Sequence, residues 1–107
     1  MKEIYYRSKI ISLIDKIFVE HGDARSRIQN CETKILNAYI ASSVEGVPKE
    51  IQNRWEKIWS ELNTEEDWRD ERGGLIQSSL SATIRKKRNK SMERYLSFFL
   101  EELYRVL

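Results

Sequence analysis

The sequence predicts an all-α fold, a single-domain helical bundle of four to five helices over residues 1–107. Three observations predict it. Apolar residues recur at three- and four-residue spacing in separate stretches of the chain, the period of a helix that buries one face. Short connections containing Gly22, Gly46 next to Val47-Pro48, and Gly73-Gly74 divide the stretches, and short links favour antiparallel neighbours. The final stretch, residues 75–107, is apolar enough to need cover from other helices. Met92, Leu96, Phe99 and Leu103 share one of its faces, with Tyr95, Phe98 and Leu107 beside it.

Taken in order, residues 3–21 read as the first helix. Ile10, Ile14 and Ile17 form its stripe, which Leu13 and Phe18 widen. Gly22 is a natural stop, because glycine takes the left-handed conformation without a side-chain penalty. Asp23 can then cap the next helix by accepting from its free amides. That second helix is expected over residues 24–43, with Ile28, Cys31, Ile35 and Ala38 inward and Arg25, Arg27, Glu32 and Lys34 off the stripe. Pro48 suits the first turn of a third helix, where a missing N–H costs no hydrogen bond. Ile51, Trp55, Ile58 and Leu62 supply its stripe, with Trp59 alongside.

Residues 63–74 are polar and acidic, and a short turn or structured loop is expected there. Thr64 followed by Glu65, Glu66 and Asp67 resembles a helix start. From Leu75 the chain reads as one long helix or two. Ile76, Leu80 and Ile84 open it at four-residue spacing, and a break between Arg88 and Ser91 would use Ser91 or Asn89 as a cap. No strand, repeat, low-complexity stretch or second domain is expected.

Composition narrows the function classes. Apolar content of 40% and charged content of 34% suit a folded soluble chain of 107 residues, long enough to bury one core without disulfides or metals. A net charge of +2 is too small to indicate a nucleic-acid binder by itself. The single cysteine, Cys31, excludes an internal disulfide and fits a reducing compartment. Arg7 and Lys9 interrupt the N-terminal segment before any long apolar run, so neither a cleavable leader nor a membrane span is expected, and the expected location is cytoplasmic.

Catalytic and metal chemistry find little purchase. His21 is the only histidine, without a Cys-x-x-Cys or His-x-x-x-His spacing near it, so zinc is not expected. His21 lies on the first helix's apolar stripe and reads as a structural residue, packed or bonded to terminal carbonyls. Cys31, on the core stripe of the second helix, reads as a buried thiol. The acids Glu65, Glu66, Asp67, Asp70 and Glu71 lack the alternation and central glycine of a calcium-binding loop. Gly73-Gly74 turns the chain and is no phosphate cradle. No cofactor, no metal and no enzymatic activity are expected.

Charge segregation is the sharpest feature. Residues 61–74 hold six acids (Glu61, Glu65, Glu66, Asp67, Asp70, Glu71) against two bases, a local net of −4. Residues 85–94 hold six bases (Arg85, Lys86, Lys87, Arg88, Lys90, Arg94) against one acid, a local net of +5. An acidic segment around Trp68 suits a basic protein partner, with the tryptophan as anchor and the acids steering association. The basic run suits phosphate. The plainer alternative is that the two segments neutralise each other within the fold or stay solvated.

Three pieces carry a resemblance. They are Ala24-Arg25-Ser26-Arg27-Ile28-Gln29-Asn30-Cys31-Glu32, then Val47-Pro48 leading to Trp55 and Ile58, and Ser81-Ala82-Thr83-Ile84-Arg85-Lys86-Lys87-Arg88-Asn89-Lys90-Ser91. Together they resemble the small helical immunity proteins of bacterial polymorphic-toxin and contact-dependent growth-inhibition systems. The resemblance implies a cytoplasmic interaction protein that binds a cognate toxin domain, often a nuclease, and blocks it. It specifies no catalytic residues. The slightly basic total departs from the acidic character of many nuclease inhibitors. On this reading Glu61, Glu65, Glu66, Asp67, Trp68, Asp70 and Glu71 form the partner-binding surface. The alternative is a nucleic-acid-binding or regulatory module that uses Arg85, Lys86, Lys87, Arg88, Lys90 and Arg94.

Overall fold

The computed structural model describes residues 3–106 and is an all-α helical bundle. Among the described residues there are six helices and one two-stranded ribbon. Helix α1 (Glu3–Val19) turns Tyr6, Ile10, Leu13, Ile14 and Ile17 inward. It stops two residues earlier than its pattern predicts, and Phe18, expected to widen the buried stripe, is exposed at 61%. Gly22 adopts φ +109°, and the Asp23 carboxylate accepts from Ser26 N–H at 2.9 Å. That bond holds the Asp23 carboxyl below its usual range.

The expected second helix is two helices, α2 (Ala24–Asn30) and α3 (Glu32–Ser42). They part at Cys31, whose φ of −103° and ψ of 15° leave the helical region. No glycine or proline marks the break, and Ile28, Cys31, Ile35 and Ala38 are buried across it. This division raises the helix count above the four to five expected. Helix α4 (Lys49–Leu62) follows, with Pro48 just outside it at the N-cap. Trp55, Ile58 and Leu62 are buried there, and Ile51 is half-buried.

Residues 63–78 depart most from the expectation. Thr64 caps no helix. Instead β1 (Trp68–Arg69) pairs antiparallel with β2 (Leu75–Gln77), where neither strand nor hairpin was expected. Leu75 and Ile76 therefore belong to a strand, and the helix expected to begin at Leu75 begins four residues later. Helix α5 (Ser79–Lys86) is capped by Ser78, whose hydroxyl oxygen accepts from Ser81 N–H at 3.1 Å. It stops before Lys87, and α6 (Asn89–Val106) starts at once. The break thus falls slightly ahead of the expected interval between Arg88 and Ser91.

Helix α6 packs on α1 and α2, α3 lies between α1 and α4, and α5 touches α2 and α4. The fully buried line on α6 is Met92, Tyr95, Phe99 and Glu102. Leu96 and Leu103, expected to share the seam with Phe99, are half-buried at its margin. Leu107 lies outside the described residues. Trp55 meets Phe99 at 5.7 Å between ring centroids and Phe98 edge-on at 5.2 Å, both within favourable aromatic range. No described helix is long and apolar enough to cross a membrane.

Candidate functional site

Two local links hold the acidic segment in place. Glu65 N–H donates to Thr83 Oγ1 at 3.0 Å, and the Ser79 hydroxyl donates to Glu65 C=O at 2.6 Å. Lys86 Nζ then pairs with the Glu65 carboxylate at 3.2 Å. The first residue of the ribbon's approach is thereby tied to α5.

Beyond that tie the ribbon is closed by its own turn. Asp70 N–H donates to Gly74 C=O at 2.8 Å, and Gly73 N–H donates to Asp70 C=O at 3.0 Å. The Asp70 carboxylate accepts from Arg72 N–H at 2.9 Å and Gly74 N–H at 2.7 Å. Gly73 sits at φ +83°, a conformation L side chains rarely adopt. A Cβ on Gly74 would lie 2.8 Å from Asp70 Oδ2. The chain turns on both glycines, as expected, and Asp70 is committed to that turn.

The ribbon has no covered face. Trp68 is 61% exposed, Leu75 55% and Ile76 52%. The pairing sets Trp68 opposite Gln77 and Arg69 opposite Leu75, so β2 carries one extra residue, Ile76, between those pairs. Such a bulge re-aims side chains and strengthens local twist. A lone two-stranded ribbon is marginal in water, and this one exposes three large apolar side chains without folding them into the core.

The acids divide into engaged and free. Glu61 pairs with Arg94, and this hydrogen bond raises the pKa of the guanidinium. Asp67 accepts from Arg69 Nε at 2.9 Å. Glu66 and Glu71 are exposed and have no hydrogen-bond or ion-pair partner among the described residues. The seven candidates therefore do not form one uniform patch. Glu66, Asp67, Trp68 and Glu71 are exposed on the ribbon and the segments flanking its strands, whereas Glu61 and Glu65 pair with the basic run.

The basic run is correspondingly diminished. Arg94 and Lys86 are each paired with an acid. The mutual neutralisation weighed from the sequence thus occurs at two points. Arg85 and Lys86 fill the last turn of α5, where cations offset the negative helix end. Arg25 of α2, read from the sequence only as lying off the buried stripe, completes that end by donating to the carbonyls of Ile84 and Lys87 and, at 2.9 Å, to Asn89 Oδ1. Arg85, Arg88 and Lys90 remain exposed.

His21 is exposed rather than packed, and it makes no hydrogen bond among the described residues. Cys31 is fully buried, and burial pushes its thiol pKa up, away from the reactive thiolate. Among the described residues no three His, Cys, Asp or Glu side chains converge on a metal-sized site.

Sequence reasoning missed one polar cluster altogether. Glu102 is 1% exposed, and its carboxylate accepts from Tyr6 Oη at 3.2 Å and from Arg54 Nη2 at 3.0 Å, with Arg105 Nε at 3.3 Å. Trp55 Nε1–H donates to Tyr6 Oη at 2.7 Å. Burial, and then the Glu102 charge, raise the Tyr6 pKa and keep the phenol neutral. The only signal was that position 102 falls on the line of Tyr95 and Phe99. These partners come from three helices, so the cluster ties α1, α4 and α6 together, with Arg54 Nε buried and unpartnered among the described residues.

Comparison with protein-family profiles, with curated proteins and with solved structures returns no match.

Proposed function

We propose that this chain is a small cytoplasmic immunity protein that binds a cognate toxin domain, a nuclease, and occludes its phosphate-binding surface. The observation that carries the reading is the uncovered ribbon. It holds Trp68, Leu75 and Ile76 in the open, with Glu66 and Glu71 unpaired beside them. An exposed aromatic with apolar neighbours and a polar rim is the composition of a binding hot spot.

The charge supports a basic partner. Residues 64–77 contain Glu65, Glu66, Asp67, Asp70 and Glu71 against Arg69 and Arg72, a net of −3. A nuclease gathers lysines and arginines to hold phosphates. An inhibitor that offers carboxylates there gains encounter rate and register, while desolvation of Trp68 supplies a slow off-rate. Glu66, Asp67, Trp68 and Glu71 are the contacting residues, with Leu75 and Ile76 added to the set read from the sequence. Asp70 acts indirectly by holding the turn. The function requires no turnover, metal or cofactor.

The test uses the tagged full chain as bait in lysate of the producing cell, beside a Glu66→Lys/Trp68→Ala/Glu71→Lys variant. The wild type should retain a basic domain that cleaves RNA or DNA, and adding the chain should suppress that cleavage. The variant should retain little of the domain and should not suppress it. Equal capture and inhibition by the variant would overturn the reading. So would capture of nucleic acid alone, abolished by reversing Arg88 and Lys90, which would establish the alternative.

A further inference from the structure

Helix α1 has an outer face that the core leaves unused. Flanking its buried side, Ile4, Ile11 and Phe18 recur every seven residues and are exposed at 58%, 36% and 61%. Seven residues are close to two helical turns, so the three lie nearly in line. Arg7, Ser8 and Asp15 are exposed among them. Arg7 and Asp15 have no ion-pair partner among the described residues. They stand eight residues apart, about 12 Å of helical rise, too far to pair along one helix.

The pattern is symmetric about Ile11. Arg7 is four residues before it and Asp15 four after. Ile4 is seven before it and Phe18 seven after. A two-fold axis beside Ile11, perpendicular to the helix, sets each residue before it level with its counterpart after it in a second copy. Arg7 of each copy then comes level with Asp15 of the other, and Ile4 with Phe18, and each match occurs twice. This self-complementarity is what a closed two-fold contact requires.

We propose that the outer face of α1 is a homodimer surface, occupied by α1 of a second copy lying antiparallel and centred on Ile11. The surface has relief to match. Phe18 borders a mostly apolar depression with Ile14, Ile17, Leu96 and Leu100, lined also by Arg27 and Ser97, which receives Ile4 of the second copy. Ile4, Arg7, Ser8 and Ile11 line a shallow depression at the other end, which receives Phe18. A 17-residue helix is about 26 Å long. One such face lies at the low end of what stable interfaces bury, so the dimer forms in a concentration-dependent way. It uses no residue of the ribbon, and it stands or falls independently of the toxin-binding reading.

Sedimentation equilibrium of the full chain at low salt, over rising concentration, tests it. The mass should climb from 12.8 kDa towards twice that value. Arg7→Asp alone, or Asp15→Arg alone, turns two attractive contacts into two repulsive ones and should weaken association about tenfold or more. The combined Arg7→Asp/Asp15→Arg chain should regain the wild-type association, because the swap restores the complementarity. Ile11→Lys should remain monomeric with an unchanged helical spectrum. A monomer at all concentrations would overturn the proposal. So would a dimer indifferent to the single reversals, or a combined variant no better than either single.

Discussion

Glu102 and Glu66 are the same residue put to opposite uses. Glu102 is 1% exposed and accepts from Tyr6 and Arg54, with Arg105 close by, so one carboxylate joins helices from both ends of the sequence. Glu66 stands in the open beside Trp68, without a partner among the described residues. The aromatic residues follow the same division. Trp55 is fully buried and spends its N–H on Tyr6, whereas Trp68 keeps 61% of its surface in water. In the bundle, Glu102 and Trp55 are enclosed and hydrogen-bonded, although Arg54 Nε beside them is buried without a partner among the described residues. In the ribbon segment Glu66 and Trp68 stay exposed, and what stability it has comes from the Asp70 turn and the Glu65 tie. The difference teaches where a partner can gain binding energy. It gains little from groups already satisfied and most from apolar area and charge still in contact with water.

Substitutions should separate the two regions, starting with the largest effect. Glu102→Ala leaves Arg54 half-buried without its carboxylate and should cost about 3–5 kcal/mol, the range for breaking a buried pair, measured by urea unfolding. Phe99→Ala should fall in a similar range of about 3–5 kcal/mol, since it opens a cavity against Trp55. Tyr6→Phe removes one hydroxyl that both donates to Glu102 and accepts from Trp55, and should cost about 1–3 kcal/mol.

The same hydroxyl gives a pH dependence with a definite sign. The folded-state pKa of Tyr6 is raised above its ordinary value of 10.0. Its contribution is therefore complete below pH 10 and is lost as pH rises above that value, while the unfolded chain ionises first. Denaturant midpoints should fall between neutral and strongly alkaline pH, and Tyr6→Phe should flatten that fall.

A smaller effect is expected at the turn. Asp70→Ala removes the acceptor for two backbone amides and should loosen the ribbon while leaving the unfolding midpoint nearly unchanged. Faster amide exchange confined to residues 68–77 would verify this. A global loss of stability would place the ribbon in the folding unit.

The bundle was largely legible because its signal repeats. Ile10, Ile14 and Ile17 on α1, or Trp55, Ile58 and Leu62 on α4, are several independent statements of one buried face. Asp23 and Gly22 were readable because their backbone roles admit few residue types. What escaped rests on single positions. Cys31 breaks a helix by its dihedral angles alone, with no glycine or proline to announce it. The strands are two and three residues long, too short for alternation to show, and the bulge at Ile76 spoils the period further. Leu75 and Ile76 therefore read as the first turn of the helix after them. Arg25 and Glu102 act through partners roughly sixty and a hundred residues away in sequence, which no local pattern encodes. The acidic cluster was visible in composition, but only geometry separates Glu66 and Glu71, which are free, from Asp70, which holds a turn.

The central claim is that the ribbon is a surface built to be bound and not a part of what holds the fold. Its most direct test is one variant, Trp68→Ser/Leu75→Ser/Ile76→Ser, measured for thermal stability and for capture of the basic domain described above. All three side chains are more than half exposed, so stability should stay within about 1 kcal/mol of wild type, a sum of small surface effects, while capture is lost. A large fall in the unfolding midpoint, comparable to that of Glu102→Ala, or capture undiminished in a stable variant, would contradict the account.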